Sequence, residues 1–171
     1  MALKGFAAFT TVLGWFVVFV AGMTINSQPY RDAMTGGAIT FSNAAMTFLT
    51  YTVTNAGILC MLSGVAGGLA QSIMTVASSG GTVPSATIKE GRPSVTDSLF
   101  IGALRSFAVY LLYLSGIYIG ASDAFGSTSP GQYARVVATT SLIGFVVSYN
   151  PAVFQRLLER FTPQPQKDAN P

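Results

Sequence analysis

The chain has 171 residues, of which 50% are hydrophobic and only 9% charged, with a formal net charge of +3. A soluble domain carries roughly 25% charged residues, so this chain has too few charges to cover a water-facing surface and reads as a membrane protein. Histidine is absent and cysteine occurs once, which rules out a disulfide framework or a Cys/His metal cluster within one chain.

The nine lysines and arginines are scattered and lie mostly beside apolar runs. That is the pattern of membrane orientation signals. They form no basic stripe with interleaved aromatics, so nucleic acid is not an expected partner. The length leaves room for four spans of about 20 residues each with their connections. The expected fold is therefore all-α: a polytopic membrane protein with four transmembrane helices in residues 1–150, followed by a short interfacial amphipathic helix.

Lys4 precedes the first apolar run, Phe6 to Ile25, which is long enough to cross a hydrocarbon core of about 30 Å. A basic start and an apolar run also describe a secretory signal peptide, with Val20 and Gly22 before Met23 as its cleavage pattern. The span length and the three further spans argue against that reading. Trp15 falls near the middle of this span, where its indole N–H needs a polar partner or its ring a neighbouring helix. Asn26 to Asn43 then form a polar connection in which Arg31 and Asp32 cancel and Gly36-Gly37 mark a turn.

Ala44 to Ile73 carry no charge and read as the second span, the helix against which the others are arranged. Gly64 and Gly68 make a GxxxG pair, and Gly57 adds a further small residue. Such positions let helix backbones approach closely in lipid. Thr47, Thr50 and Thr54 recur at helical spacing beside Asn55, the one deeply placed amide. Threonine hydroxyls in a span usually bond back to their own helix. The competing reading is a polar path, lined by these residues from several copies. Cys60 reads as a small buried apolar residue.

From Val76 to Asp97 the composition shifts to Ser, Gly, Thr and Pro, which marks an exposed loop. Ser94 with Asp97 offers a helix cap, so the third span is expected over residues 95–120. Arg105 in it can snorkel to the headgroups. Gly116 and Gly120 repeat the small-residue spacing and are further candidate packing positions. Ser129, Pro130 and Gln132 then spell a helix start, giving a fourth span over 130–149. Asn150-Pro151 repeats the signal. In the segment 151–161 the residues Val153, Phe154, Leu157, Leu158 and Phe161 share one face, while Arg156 and Arg160 lie on the other. An interfacial helix has this pattern, with its arginines toward anionic membrane lipid. Residues 162–171 are polar and proline-rich and are expected to be disordered.

The six acids fall in connections or chain ends. No span holds a mid-depth carboxylate of the kind that proton-coupled transporters use, and no catalytic constellation is present, so an enzyme is not expected. The sequence names no cofactor. Two roles remain. The first is a structural or accessory membrane component, associating with copies of itself or with a larger membrane complex. The second is a small oligomeric channel or facilitator lined by Thr47, Thr50, Thr54 and Asn55. The layout is that of small bacterial inner (plasma) membrane proteins. Lys4, Lys89, Arg92, Arg156, Arg160 and Lys167 on one side, against Arg31 and Arg135 on the other, place both termini in the cytoplasm.

Overall fold

The structure is a computed structural model that describes residues 2–37, 40–78, 95–119 and 129–161. Among these residues every regular element is a helix, in the order α1 (Ala2–Thr24), α2 (Gln28–Thr35), α3 (Phe41–Leu49), α4 (Val53–Ser78), α5 (Val95–Ile119), α6 (Pro130–Tyr149) and α7 (Pro151–Phe161). Three of them, α1, α4 and α5, are long and apolar enough to cross a membrane, and a fourth is reached if α6 is counted together with α7. The expected cap at Ser94, the packing position Gly120 and the tail 162–171 lie outside the described residues.

Side-chain contacts fix the direction of each long helix. Lys4 near the start of α1 donates to Ser72 near the end of α4 (2.7 Å), whereas Trp15 halfway along α1 reaches Ser141 halfway along α6 (3.1 Å). Asn55 at the start of α4 meets Tyr133 at the start of α6 (2.9 Å). On α5 the order is reversed: Gly102 accepts from Ser148 at the end of α6, and Tyr110 donates to the Val53 carbonyl at the start of α4. Helices α1 and α5 therefore run one way and α4 and α6 the other. The start of α1, the end of α4 and all of α7 share one end of the bundle, with α2 and α3 at the other. Helix α4 is the centre, packed on α1, α5 and α6.

The helix expected without interruption from Ala44 to Ile73 is in fact two. Thr50 is extended (φ −98°, ψ 169°) and closes α3, and α4 starts afresh at Val53. Neither proline nor glycine causes the break. Two side chains replace the backbone bonds that a continuous helix would make. Thr52 Oγ1 donates to the Thr47 carbonyl (2.5 Å) and accepts from the Asn55 N–H (3.1 Å), while Asn55 Nδ2 donates to the Phe48 carbonyl (2.7 Å). Serine, threonine and asparagine compete with helical bonding in this way. The connection expected over Asn26 to Asn43 likewise contains structure. Pro29 opens the short helix α2 at its first turn, and the Thr40 hydroxyl caps α3 by accepting from the Asn43 N–H (3.2 Å).

At the end of the chain the local sequence signals act as read. Ser129 Oγ accepts from the Gln132 N–H (3.3 Å) with Pro130 in the first turn, and Asn150 Oδ1 accepts from the Ala152 N–H (3.2 Å). Helix α7 leaves α6 at 110°. So sharp a turn means that α7 adds nothing to the length of α6 along the bundle axis. It runs across the bundle end, tilted back toward it.

Candidate functional site

The buried polar and small residues of the bundle gather in two layers on α4, and this interior is the only candidate site that the described residues assemble. The upper layer is built on Asn55, which is 0% exposed. Besides capping α3 through Nδ2, its Oδ1 accepts from the Tyr133 hydroxyl (2.9 Å). Tyr133 stacks on Phe19 (5.5 Å between centroids) and meets Tyr51 edge-on (4.9 Å), and Phe19 stacks on Trp15 (5.0 Å). Aromatic pairs at these separations are favourable beyond the area they bury. Two glycines make room for the rings: a Cβ on Gly22 would overlap the Tyr133 hydroxyl, and one on Gly57 would lie 2.8 Å from Tyr110 Cε1. The Trp15 indole N–H finds its polar partner in Ser141 of α6, while its ring stacks on Phe19 of its own helix.

The lower layer is a seam of small residues and hydroxyls where α4, α5 and α6 meet. Gly64 and Gly102 face each other so closely that a Cβ on Gly102 would sit 2.7 Å from the Gly64 carbonyl oxygen, and one on Gly64 would sit 2.5 Å from the Gly102 oxygen. Three residues after Gly64, Gly67 lies against the Phe145 backbone of α6, and a Cβ on Gly144 would lie 3.0 Å from Cys60 Sγ. Close approach leaves carbonyls facing neighbouring helices, and the hydroxyls answer them. Ser106 Oγ reaches the Gly144 carbonyl and Ser148 Oγ (3.0 Å each), Ser148 donates to the Gly102 carbonyl (2.9 Å), and Ser63 donates to the Ser141 carbonyl (2.5 Å). Cys60 Sγ lies 3.4 Å from the Ser106 carbonyl and 3.3 Å from that of Thr140.

Against this geometry the residues singled out by spacing divide. Gly57 and Gly64 sit in close contacts within the chain, and Gly68 is buried. Gly116 is exposed, with no atom of the described residues near the position of an added Cβ. Thr47 and Thr50 donate to the Ala44 and Met46 carbonyls of their own helix (2.7 and 2.8 Å). Thr54 is exposed whereas Thr50 and Asn55 are buried, so these four side chains do not converge on one path within the chain. Arg156 and Arg160 are exposed on α7.

Gly102, Ser106, Gly144 and Ser148 were not anticipated, although their signal is present. Each pair reads Gly-x-x-x-Ser, the small-xxx-small spacing with serine in place of the second glycine. No known protein family, curated protein or solved structure matches the chain.

Proposed function

We propose that the chain is an integral membrane protein in which α1, α4, α5 and α6 are four antiparallel spans, and that it serves as a structural or accessory component. It associates with copies of itself or with a larger membrane complex and performs no catalysis of its own. The observation that supports the membrane placement is the inversion of its surfaces. Phe6, Phe9, Phe16, Phe100, Leu104 and Leu142 are exposed, while Thr50, Asn55, Ser106, Thr140 and Ser148 are buried and hydrogen-bonded. Water would penalise that arrangement. Lipid favours it, because apolar side chains solvate in acyl chains and polar groups must find partners inside the protein.

Helix α6 fits the same reading despite its lower apolarity. Its 20 residues span about 30 Å, enough to cross the core, and Thr140, Ser141 and Ser148 face inward, while Leu142 and Val146 are exposed together with Thr139 and, nearer the start of the helix, Arg135. Helix α7 then lies along the membrane surface on the side of the termini, with Arg156 and Arg160 toward anionic lipid. Lys4 belongs to the same end. The excess of Lys and Arg there favours a cytoplasmic location for both termini in a bacterial inner membrane. The test is isolation from the native membrane in mild detergent, with identification of what comes with it. Recovery in a stable assembly, of copies or of other membrane subunits, is the expected result. A purified protein that conducts ions or solutes in proteoliposomes, as a monomer or as an assembly of copies, would overturn the proposal.

A further inference from the structure

We propose that α3 is a second membrane-surface helix, uncharged and seated in the leaflet opposite to α7, with lipid as the occupant of its exposed apolar face. The inference rests on the membrane reading above and adds an element that a count of spans leaves out.

Depth is the first argument. Lys4 is held at Ser72 of α4, and a lysine at a span end marks the polar edge of the bilayer. From Ser72 back to Val53 the helix rises about 28 Å at 1.5 Å per residue, close to the roughly 30 Å of the hydrocarbon core. The break before Val53 therefore falls at the far edge of the core. Helix α3, whose nine residues make it about 13 Å long, is too short to cross and lies at that edge.

The second argument is the surface that α3 presents. Phe41, Phe48 and Leu49 are spaced to share one helical face, and all are exposed, Phe41 at 91%. No charge falls anywhere between Asp32 and Lys89. Such a helix gains little from water or from an anionic lipid. It gains from the boundary of acyl chains and headgroups.

The backbone at the break separates lipid from water. Irregular backbone inside the hydrocarbon core is tolerated only where its polar groups are satisfied from within, and at this break, close to the edge of the core, four carbonyls are answered by the chain itself. The last carbonyls of a helix lack partners of their own. Here Met46 O accepts from the N–H and the hydroxyl of Thr50, Thr47 O from the Thr52 hydroxyl, and Phe48 O from Asn55 Nδ2. On the other side of the break the Val53 carbonyl accepts from the Tyr110 hydroxyl. A turn in water needs none of these bonds, because water would make them.

The test places single tryptophans in the full chain, reconstituted in phosphatidylcholine and phosphatidylglycerol vesicles whose acyl chains carry bromine either near the headgroup or near the chain end. Trp15→Phe supplies the background. Val12→Trp on the exposed side of α1 reports on the membrane reading itself and is expected to lose most of its emission to the deep bromines. Phe48→Trp is expected to lose most of its emission to the shallow ones. If Val12→Trp is instead quenched by aqueous iodide, the membrane reading falls. If Val12→Trp is quenched by the deep bromines and Phe48→Trp is instead quenched by aqueous iodide, α3 stands in water and this inference alone falls. Shielding of Phe48→Trp from both quenchers would mean that protein covers α3, which also overturns the proposal. A second measurement avoids the Trp15 substitution: Phe41→Cys on a Cys60→Ala background should resist a membrane-impermeant maleimide until detergent is added.

Discussion

Replacing Gly102 by alanine puts the proposed close contact between α4 and α5 to its most direct trial. The new methyl would stand 2.7 Å from the Gly64 carbonyl oxygen and 3.2 Å from its carbon, where ordinary contact is about 3.5–4.0 Å. Both opposing atoms belong to backbone, so no side chain can swing aside, and α5 must move off α4 by about 1 Å. That movement opens the packing around it and lengthens the Ser148 hydroxyl bond to Gly102 O, now 2.9 Å. Overpacking of this kind costs about 1–3 kcal/mol. The control lies on the same helix. Gly116 is exposed with nothing near it, so Gly116→Ala relieves the glycine penalty and should stabilise by up to about 1 kcal/mol. One substitution type thus has opposite signs at two positions fourteen residues apart. The assay is unfolding of the purified protein in mixed micelles by increasing SDS fraction, followed by Trp15 emission. Because Gly64→Ala strains the same contact, the double variant Gly64→Ala, Gly102→Ala should cost less than the sum of the two singles, as one separation relieves both. A Gly102→Ala protein as stable as the parent, or a Gly116→Ala protein equally damaged, would refute the reasoning.

Other perturbations have graded outcomes in the same assay. Asn55→Leu strands the Phe48 carbonyl and the Tyr133 hydroxyl and should cost about 1–3 kcal/mol for each buried group left unpaired, whereas Tyr133→Phe strands only the buried Asn55 Oδ1 and should cost about 1–3 kcal/mol in all. Trp15→Phe keeps the stack on Phe19 and loses only the bond to Ser141, so its cost should be about 0.6 kcal/mol. Cys60, 0% exposed, should react with maleimide only once SDS has unfolded the chain. With Cys60 replaced by alanine, cysteines at Asp32 and Glu159, exposed at opposite ends of the bundle, should label from opposite sides of sealed vesicles; labelling from one side would exclude the antiparallel four-span arrangement.

What could be read from the sequence was whatever short-range chemistry decides. Ser129-Pro130 and Asn150-Pro151 place helix starts because a side-chain acceptor and a fixed proline φ act within one turn, and both starts stand where those residues put them. The break at Thr50 to Thr52 was illegible for the opposite reason. Its sequence contains no residue that forbids a helix, and what holds it open includes Tyr110 and Tyr133, far along the chain. Glycine spacing was legible as a class but not as to which helix each glycine meets. Gly64 packs against α5 and Gly67 against α6, whereas Gly116, on the same kind of spacing, meets nothing in the described chain. Spacing says that a backbone can approach; only the facing helix says whether one does.

That distinction bears on how the protein would work with others. A helix pair in lipid is not driven together by the hydrophobic effect, since acyl chains solvate apolar side chains as well as a neighbouring helix does, so close backbone contact and hydrogen bonds between helices must hold it. This chain commits such contacts to itself: Gly64 to Gly102, Gly67 to Phe145, Ser106 to Gly144 and Ser63 to Ser141. Opening the interior to a solute would break that set together, because the Gly102, Gly144 and Ser141 carbonyls each accept from a serine hydroxyl on another helix. A folded interior so occupied makes a better scaffold than a conduit. Under the proposed membrane placement, any association with a further subunit would fall to the outer flanks, where α1 packs on α4 and α6 along one side only and α5 turns Phe100, Leu104 and Leu111 outward, and there a partner would have to compete with lipid for every contact.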